Sequence, residues 1–296
     1  MMGRFNRVLI FLGLLLFVSN AGLIQNVPSA AALSITTEFI GGMPASNVTG
    51  EGDLATVFGA AARQWEGAIS DPFHLRLLFG WAPLDEADAT HMLISQGGTP
   101  NRETEGVILF DNDGNTGGIG LFIDPTPELN EEYLSYTETE QDLGGGNINV
   151  ARLYTNPIDI AANRNDMFSI AIHEIGHSLG MSTLNPGWNL ETADGDIDVT
   201  KPRPFSETSI PLASNFSGVT SHIDPLMVAY GPVMAGVNTG ERRLPSDLDI
   251  LANQQISRFV NRPTAVVPEP ATAILLGTGL VLLGAWRRFR PDPKHS

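Results

Sequence analysis

The sequence predicts an α/β (α+β) domain, on three observations. Extended and helical periodicities follow one another as strand, helix, several strands and a second helix. About 235 residues separate two chain ends that read as processing segments, a length that suits one domain with a substantial core. Clusters of Gly, Pro, Asn and Asp punctuate the apolar runs. Leu33 to Ile40 alternates in polarity and reads as the first strand. Leu54, Val57, Phe58, Ala61, Trp65, Ala68 and Ile69 recur at helical spacing, with Asp53 placed as an N-cap. Phe73 to Trp81, Ala89 to Ser95 and Gly106 to Phe110 read as further strands, and Gly120 to Ile123 and Asn147 to Tyr154 as short extended runs. Asn165 and Asp166 offer an N-cap for an apolar helix through Met167, Phe168, Ile170, Ala171, Ile172, Ile175 and Leu179, which Gly180 can end. Asn185 to Asn215 is polar and rich in Pro, Gly and Asp, and reads as a loop. Ser246, with Asp249 three residues later, opens a last helix running to about Phe259.

The ends are excluded from this fold. Arg4 and Arg7 precede an apolar stretch from Val8 to Val18, and Ala30-Ala31-Ala32 supplies small residues for cleavage. That is the order of a secretory signal, and the stretch is short for a membrane span, the alternative being an uncleaved anchor. At the other end Val267-Pro268-Glu269-Pro270 precedes an apolar stretch from Ala271 to Trp286, then Arg287, Arg288 and Arg290. An apolar tail with a basic stop retains a chain at a membrane. The three-part order resembles the PEP-CTERM sorting signal. That resemblance implies an exosortase as partner, removal of the tail, and delivery to the cell surface or extracellular matrix of a Gram-negative bacterium after transient anchoring in the inner membrane. A plain C-terminal membrane anchor is the alternative. The expected division is a signal peptide at 1–32, a domain at 33–265 and a sorting tail at 266–296.

Between Leu33 and Pro268 stand 11 Lys and Arg against 31 Asp and Glu, a net charge of −20. Such a domain is a poor nucleic-acid binder and is repelled by anionic membrane surfaces. The chain has no Cys, so disulfides do not staple the exported domain.

The chemistry resides in His173-Glu174-Ile175-Gly176-His177-Ser178-Leu179-Gly180, an HExxHxxG pattern. Residues four apart share a helix face, so both imidazoles can take one Zn²⁺. Glu174, beside the first ligand, can reach a zinc-bound water as general base. A catalytic zinc takes three protein ligands and keeps a position for water. The longer pattern HExxHxxGxxH puts the third His at position 183, where this chain has Thr183. Among the 6 His, His222 is the only downstream candidate before the tail. Glu191, Asp194, Asp196 and Asp198 are the carboxylate alternatives, Glu191 lying at a distance that could suit a His₂Glu site.

The order of elements and this motif resemble the metzincin metalloproteases. The resemblance implies a twisted mixed sheet with two helices as the upper half and an irregular lower half with a C-terminal helix. Interruption after the Gly region resembles the leishmanolysin-type metzincins. By that resemblance Asn185 to Asn215 is an insertion, His222 is the third ligand, and Met227 forms the turn beneath the metal. Tyr230 is then a possible hydrogen-bond donor to the transition state. The family also implies a cleft-edge strand that holds substrate, here Gly106 to Phe110 or Gly120 to Ile123.

Asp111, Asp113 and Asn115 sit at alternate positions, as at the start of a calcium loop, though Phe122 stands where an EF-hand needs Glu. They are candidates for a structural Ca²⁺, with an Asx-rich turn as the other reading. The expected activity is that of a secreted or surface-sorted zinc endopeptidase acting on proteins or peptides. The alternatives are a non-catalytic matrix or adhesion protein on the same scaffold, and a zinc hydrolase of a non-peptide amide.

Overall fold

The computed structural model describes residues 32–85, 87–98, 101–114, 119–199, 209–216, 218–226, 228 and 231–259. The expected signal segment and sorting tail lie outside them. Strand β1 (Ser34–Phe39), helix α1 (Leu54–Ala68) and strand β2 (His74–Ala82) form a crossover unit, with β1 and β2 parallel. Strand β3 (Ala89–Gly97) turns back into β4 (Arg102–Asp111), which runs parallel to β2. The sheet order is therefore β1-β2-β4-β3, with β3 as an antiparallel edge. Leu75, Leu77, Phe79, Ile108 and Phe110 are buried at every second position, on the face that meets the helices. Phe58 of α1 stacks on Phe79 with ring centroids 4.3 Å apart.

Strand β5 (Gly120–Phe122) pairs in parallel with β8 (Arg164–Asp166), and β6 (Tyr133–Asp142) forms a hairpin with β7 (Asn147–Pro157). Strand β8 leads directly into α2 (Met167–Leu179), the helix of the HExxHxxG motif. Trp65 Nε1 of α1 donates to the Ile172 carbonyl of α2 at 2.9 Å, so the two helices lock across a buried contact. Helix α3 (Pro186–Glu191), strands β9 (Asp196–Asp198), β10 (Ser209–Asn215) and β11 (Gly218–Ile223), strand β12 (Arg242–Leu244) and helix α4 (Asp247–Ser257) follow. Strands β9, β10 and β11 make an antiparallel sheet, and β12 adds to β7.

The mixed α/β class and the elements read from the sequence agree with the structure, which adds strands that reading missed and differs on two readings. Asn185–Asn215 is not a plain loop, since it carries α3, β9 and β10. Asn185 caps α3, accepting from Gly187 N at 2.8 Å, and Trp188, Ile197, Ile210 and Leu212 are buried. A few buried apolar positions outweigh the polar composition there. The open sheet edge is neither Gly106–Phe110 nor Gly120–Ile123. The first lies in β4, paired on both sides, and the second is covered by β8 and by a bridge from Thr49.

One buried cation fixes how α2 enters the fold. Arg242 of β12 is fully buried between Asp124 and Asp166, with contacts of 2.7 and 2.8 Å. Asp166 is the N-cap of α2 and accepts from Ser169 N at 3.0 Å. The guanidinium also donates to the Pro127 carbonyl and lies over the rings of Tyr133 and Phe168. Removing one member of a buried ionic group strands the others without water or partner. Arg242→Met is expected to lower unfolding free energy by about 3–5 kcal/mol in denaturant titrations, whereas Arg63→Met, in an exposed pair with Glu128, should change it by about 1 kcal/mol or less.

Candidate metal centre

All thirteen residues of α2 are buried, including His173, Glu174 and His177. A helix apolar enough to be buried all round does not carry three ionisable groups without a reason. Gly176 lets the helix approach its support, since a Cβ there would come within 2.2 Å of Met234 Sδ. Gly180 ends the helix at φ 152°, and a side chain there would meet Ser257 Oγ of α4 at 2.6 Å.

His173, His177 and His222 converge. His173 Nε2 lies 3.0 Å from His177 Nε2 and 3.2 Å from His222 Nε2. Strand β11 delivers His222 to α2 across 49 residues of sequence. The carboxylate alternatives are not brought there. Glu191 accepts from Gln255 Nε2 of α4 at 2.9 Å. Asp194, Asp196 and Asp198 form a separate group, in which Asp196 accepts from Ser209 Oγ at 2.6 Å. Of the calcium candidates, Asp111 makes the backbone contacts of the Asx-turn reading. The Asp111 carboxylate accepts from the backbone N–H groups of Leu84, Asp113 and Gly114 at 3.2, 3.1 and 2.9 Å, and Asn115 lies outside the described residues.

The hydrogen bonds of the two helix histidines decide their tautomers. His173 Nδ1 is 2.8 Å from the Val233 carbonyl, and His177 Nδ1 makes a short contact with the Met181 carbonyl. A carbonyl only accepts, so each Nδ1 carries the proton and, in the neutral ring, each Nε2 is a bare lone pair. Two lone pairs therefore face each other across 3.0 Å. Protonation does not relieve this, because burial pushes His173 down to about 4 and His177 well below its ordinary value. A metal cation at the point of convergence does relieve it. Tetrahedral zinc with Zn–N near 2.0–2.1 Å separates its ligand nitrogens by about 3.3 Å, close to what is seen. The three imidazoles thus fit zinc and leave a fourth position free.

Glu174 faces the same cleft, of about 290 Å³, together with Thr90, Thr183, Leu184 and Ser221. Burial, and secondarily the charge of Asp88, push its carboxyl up to about 8. His222 is also held down by burial.

No protein-family model, curated protein or solved structure matches this chain.

Met227 and Tyr230 lie outside the described residues. A different methionine, Met234, sits against the metal helix at Gly176 and is fully buried. Its neighbour Val233 supplies the carbonyl that orients His173, and both are clamped from α4. Asp249 accepts from Val233 N at 3.2 Å and Met234 N at 2.9 Å, while also closing the capping box with Ser246. Sequence reading found Asp249 as a cap only, since the second role exists only once α4 is packed. His91, read simply as a strand residue, lines the cleft.

These shifts give the metal-free protein a pH profile. The folded pKa of Glu174 is raised from 4.5 to about 8, so its contribution is intact below about 4.5 and is lost as pH rises through 8. The folded pKa of His173 is depressed from 6.5 to about 4, so its contribution is intact above 6.5 and is lost as pH falls through 4. Thermal unfolding with chelator present should show losses on both sides, and Glu174→Gln should reduce the alkaline one, to which the raised carboxyls of Glu132 and Asp249 also contribute, while leaving the acid one.

Proposed function

We propose that this domain is a zinc-dependent endopeptidase of metzincin-like build, exported and sorted to the cell surface or extracellular matrix. The observation that carries the reading is the meeting of three imidazole nitrogens with Glu174 in one open cleft. His173, His177 and His222 would hold zinc, which would supply a Lewis acid and lower the pKa of a water. Glu174 accepts the proton of the attacking water and returns it to the leaving amine. A divalent cation beside Glu174 offsets the burial that raises its carboxyl in the metal-free protein and keeps it ionised, as a base must be. The backbone carbonyls of Val233 and Met181 hold the two helix imidazoles so that only lone pairs face the metal.

The cleft supports a peptide substrate. Among the described residues β3 pairs only with β4, and its end at Ala89, Thr90 and His91 borders the cleft. An extended chain adds to such an edge through backbone hydrogen bonds, which a compact non-peptide amide cannot do. The metzincin-like reading draws further support from the mixed sheet with an antiparallel edge, the two helices beneath it, the buried Met234 under the metal helix, and a helix closing the domain. Export and exosortase sorting rest on the two terminal segments. Among the described residues no helix is long and apolar enough to cross a membrane.

The test is cleavage of a peptide library by the zinc-loaded protein. Glu174→Gln is expected to keep its zinc and lose at least about 100-fold in rate, the share a positioned general base contributes. Equal cleavage by wild type and Glu174→Gln contradicts the mechanism. A zinc-loaded wild type that cleaves nothing in the library points to a non-catalytic scaffold.

A further inference from the structure

Beside the metal helix lies a second buried ionisable pair that the mechanism leaves unused. His91 of β3 and Glu103 of β4 have side chains 4% and 2% exposed. His91 Nε2 stands 3.0 and 2.8 Å from the two carboxylate oxygens of Glu103. Strand pairing alone does not bring them together, because His91 lies opposite Ile108 and Glu103 opposite Gln96. Two register shifts, at Leu93/Ser95 and Ser95/Gln96, turn Glu103 to the inner face of the sheet. Gly106 then leaves room for its carboxylate, for a Cβ there would come within 2.0 Å of Glu103 Oε1. Two irregularities and one glycine thus accommodate a single buried carboxylate.

Stability is a poor reason for this arrangement. Burying an imidazole–carboxylate pair forfeits solvation, and apolar side chains of similar volume fill such a place equally well. Burial pushes the Glu103 carboxyl up, and the His91 hydrogen bond only opposes that shift. The informative neighbour is His177, whose ring lies 6.4 Å from the His91 ring at an interplanar angle of 25°. Three neutral imidazoles leave the charge of a divalent cation uncompensated inside the domain.

We propose that Glu103, acting through His91, is an outer carboxylate of the metal site. It is a positioning residue that holds the His91 ring beside His177 and sets negative charge two imidazoles away from the cation. This rests on the zinc reading above. The hydrogen bond fixes the His91 ring, which stands nearly parallel to the His177 ring at 6.4 Å. A carboxylate held near a ligand in a low-dielectric interior strengthens cation binding through its field, without touching the metal.

The experiment is zinc affinity, measured on chelator-stripped protein by competition with a chromophoric chelator, alongside thermal unfolding of the metal-free form. Glu103→Gln keeps the shape and an acceptor for His91 but removes the charge. The double variant His91→Phe with Glu103→Leu keeps a ring beside His177 and leaves no buried charge, so it serves if the single variant does not fold. Glu103→Gln, or failing that the double variant, is expected to bind zinc about 10–100-fold more weakly than wild type, with metal-free unfolding temperature unchanged or raised. Zinc affinity equal to wild type overturns the inference and leaves the zinc reading standing. Loss of affinity only in step with metal-free stability also overturns it, since the pair is then structural. A wild type that takes no zinc removes both readings together.

Discussion

Two bare lone pairs held 3.0 Å apart in a buried site are the constraint on which the rest of this structure depends. Backbone carbonyls fix the protons of His173 and His177 on the far side of each ring, and burial keeps both rings neutral. The near nitrogens then repel unless a cation lies between them. The arrangement is unfavourable by itself, and it persists because several elements hold it from different directions.

Those elements act as a frame around α2. At its start, the buried Arg242 grips the capping Asp166 and Asp124 together. Along its length, Trp65 reaches the Ile172 carbonyl, and Met234 fills the space that Gly176 leaves open. At its end, Ser257 Oγ of α4 contacts the Leu179 carbonyl. Helix α4 also holds Val233 and Met234 through Asp249, and Val233 holds His173. Helix α4 is thereby coupled to His173 by two hydrogen bonds in series. The third imidazole arrives on β11, whose pairing with β10, itself paired with β9, gives His222 a sheet to stand on. The frame resists collapse, so the cleft stays open beside Glu174.

Most of the frame's long elements were legible in the sequence, for physical reasons. Helix α2 combines an Asp cap, continuous apolar periodicity and a Gly stop, and it appears where that pattern puts it. The capping box of α4 is equally local. Strand β6 escaped notice because most of its side chains face solvent, which leaves no apolar alternation to read. Strands β8, β9 and β12 have three residues each, too few to show a period, and tertiary pairing alone defines them. At the site, His173, Glu174 and His177 follow from spacing along one helix. His222 was reached by elimination and family resemblance, since no local pattern marks it. The roles of Val233, Asp249, Met234 and the His91–Glu103 pair depend on packing between distant segments, and nothing local in the sequence carries them.

The central claim is that three imidazoles, one of them from β11, share one metal ion. X-ray absorption at the zinc edge of the zinc-loaded protein tests it most directly, comparing wild type with His222→Ala. The account predicts three imidazole nitrogens at about 2.0–2.1 Å in wild type and two in the variant. Two imidazoles with a protein carboxylate in wild type, or a coordination shell unchanged by His222→Ala, would contradict it.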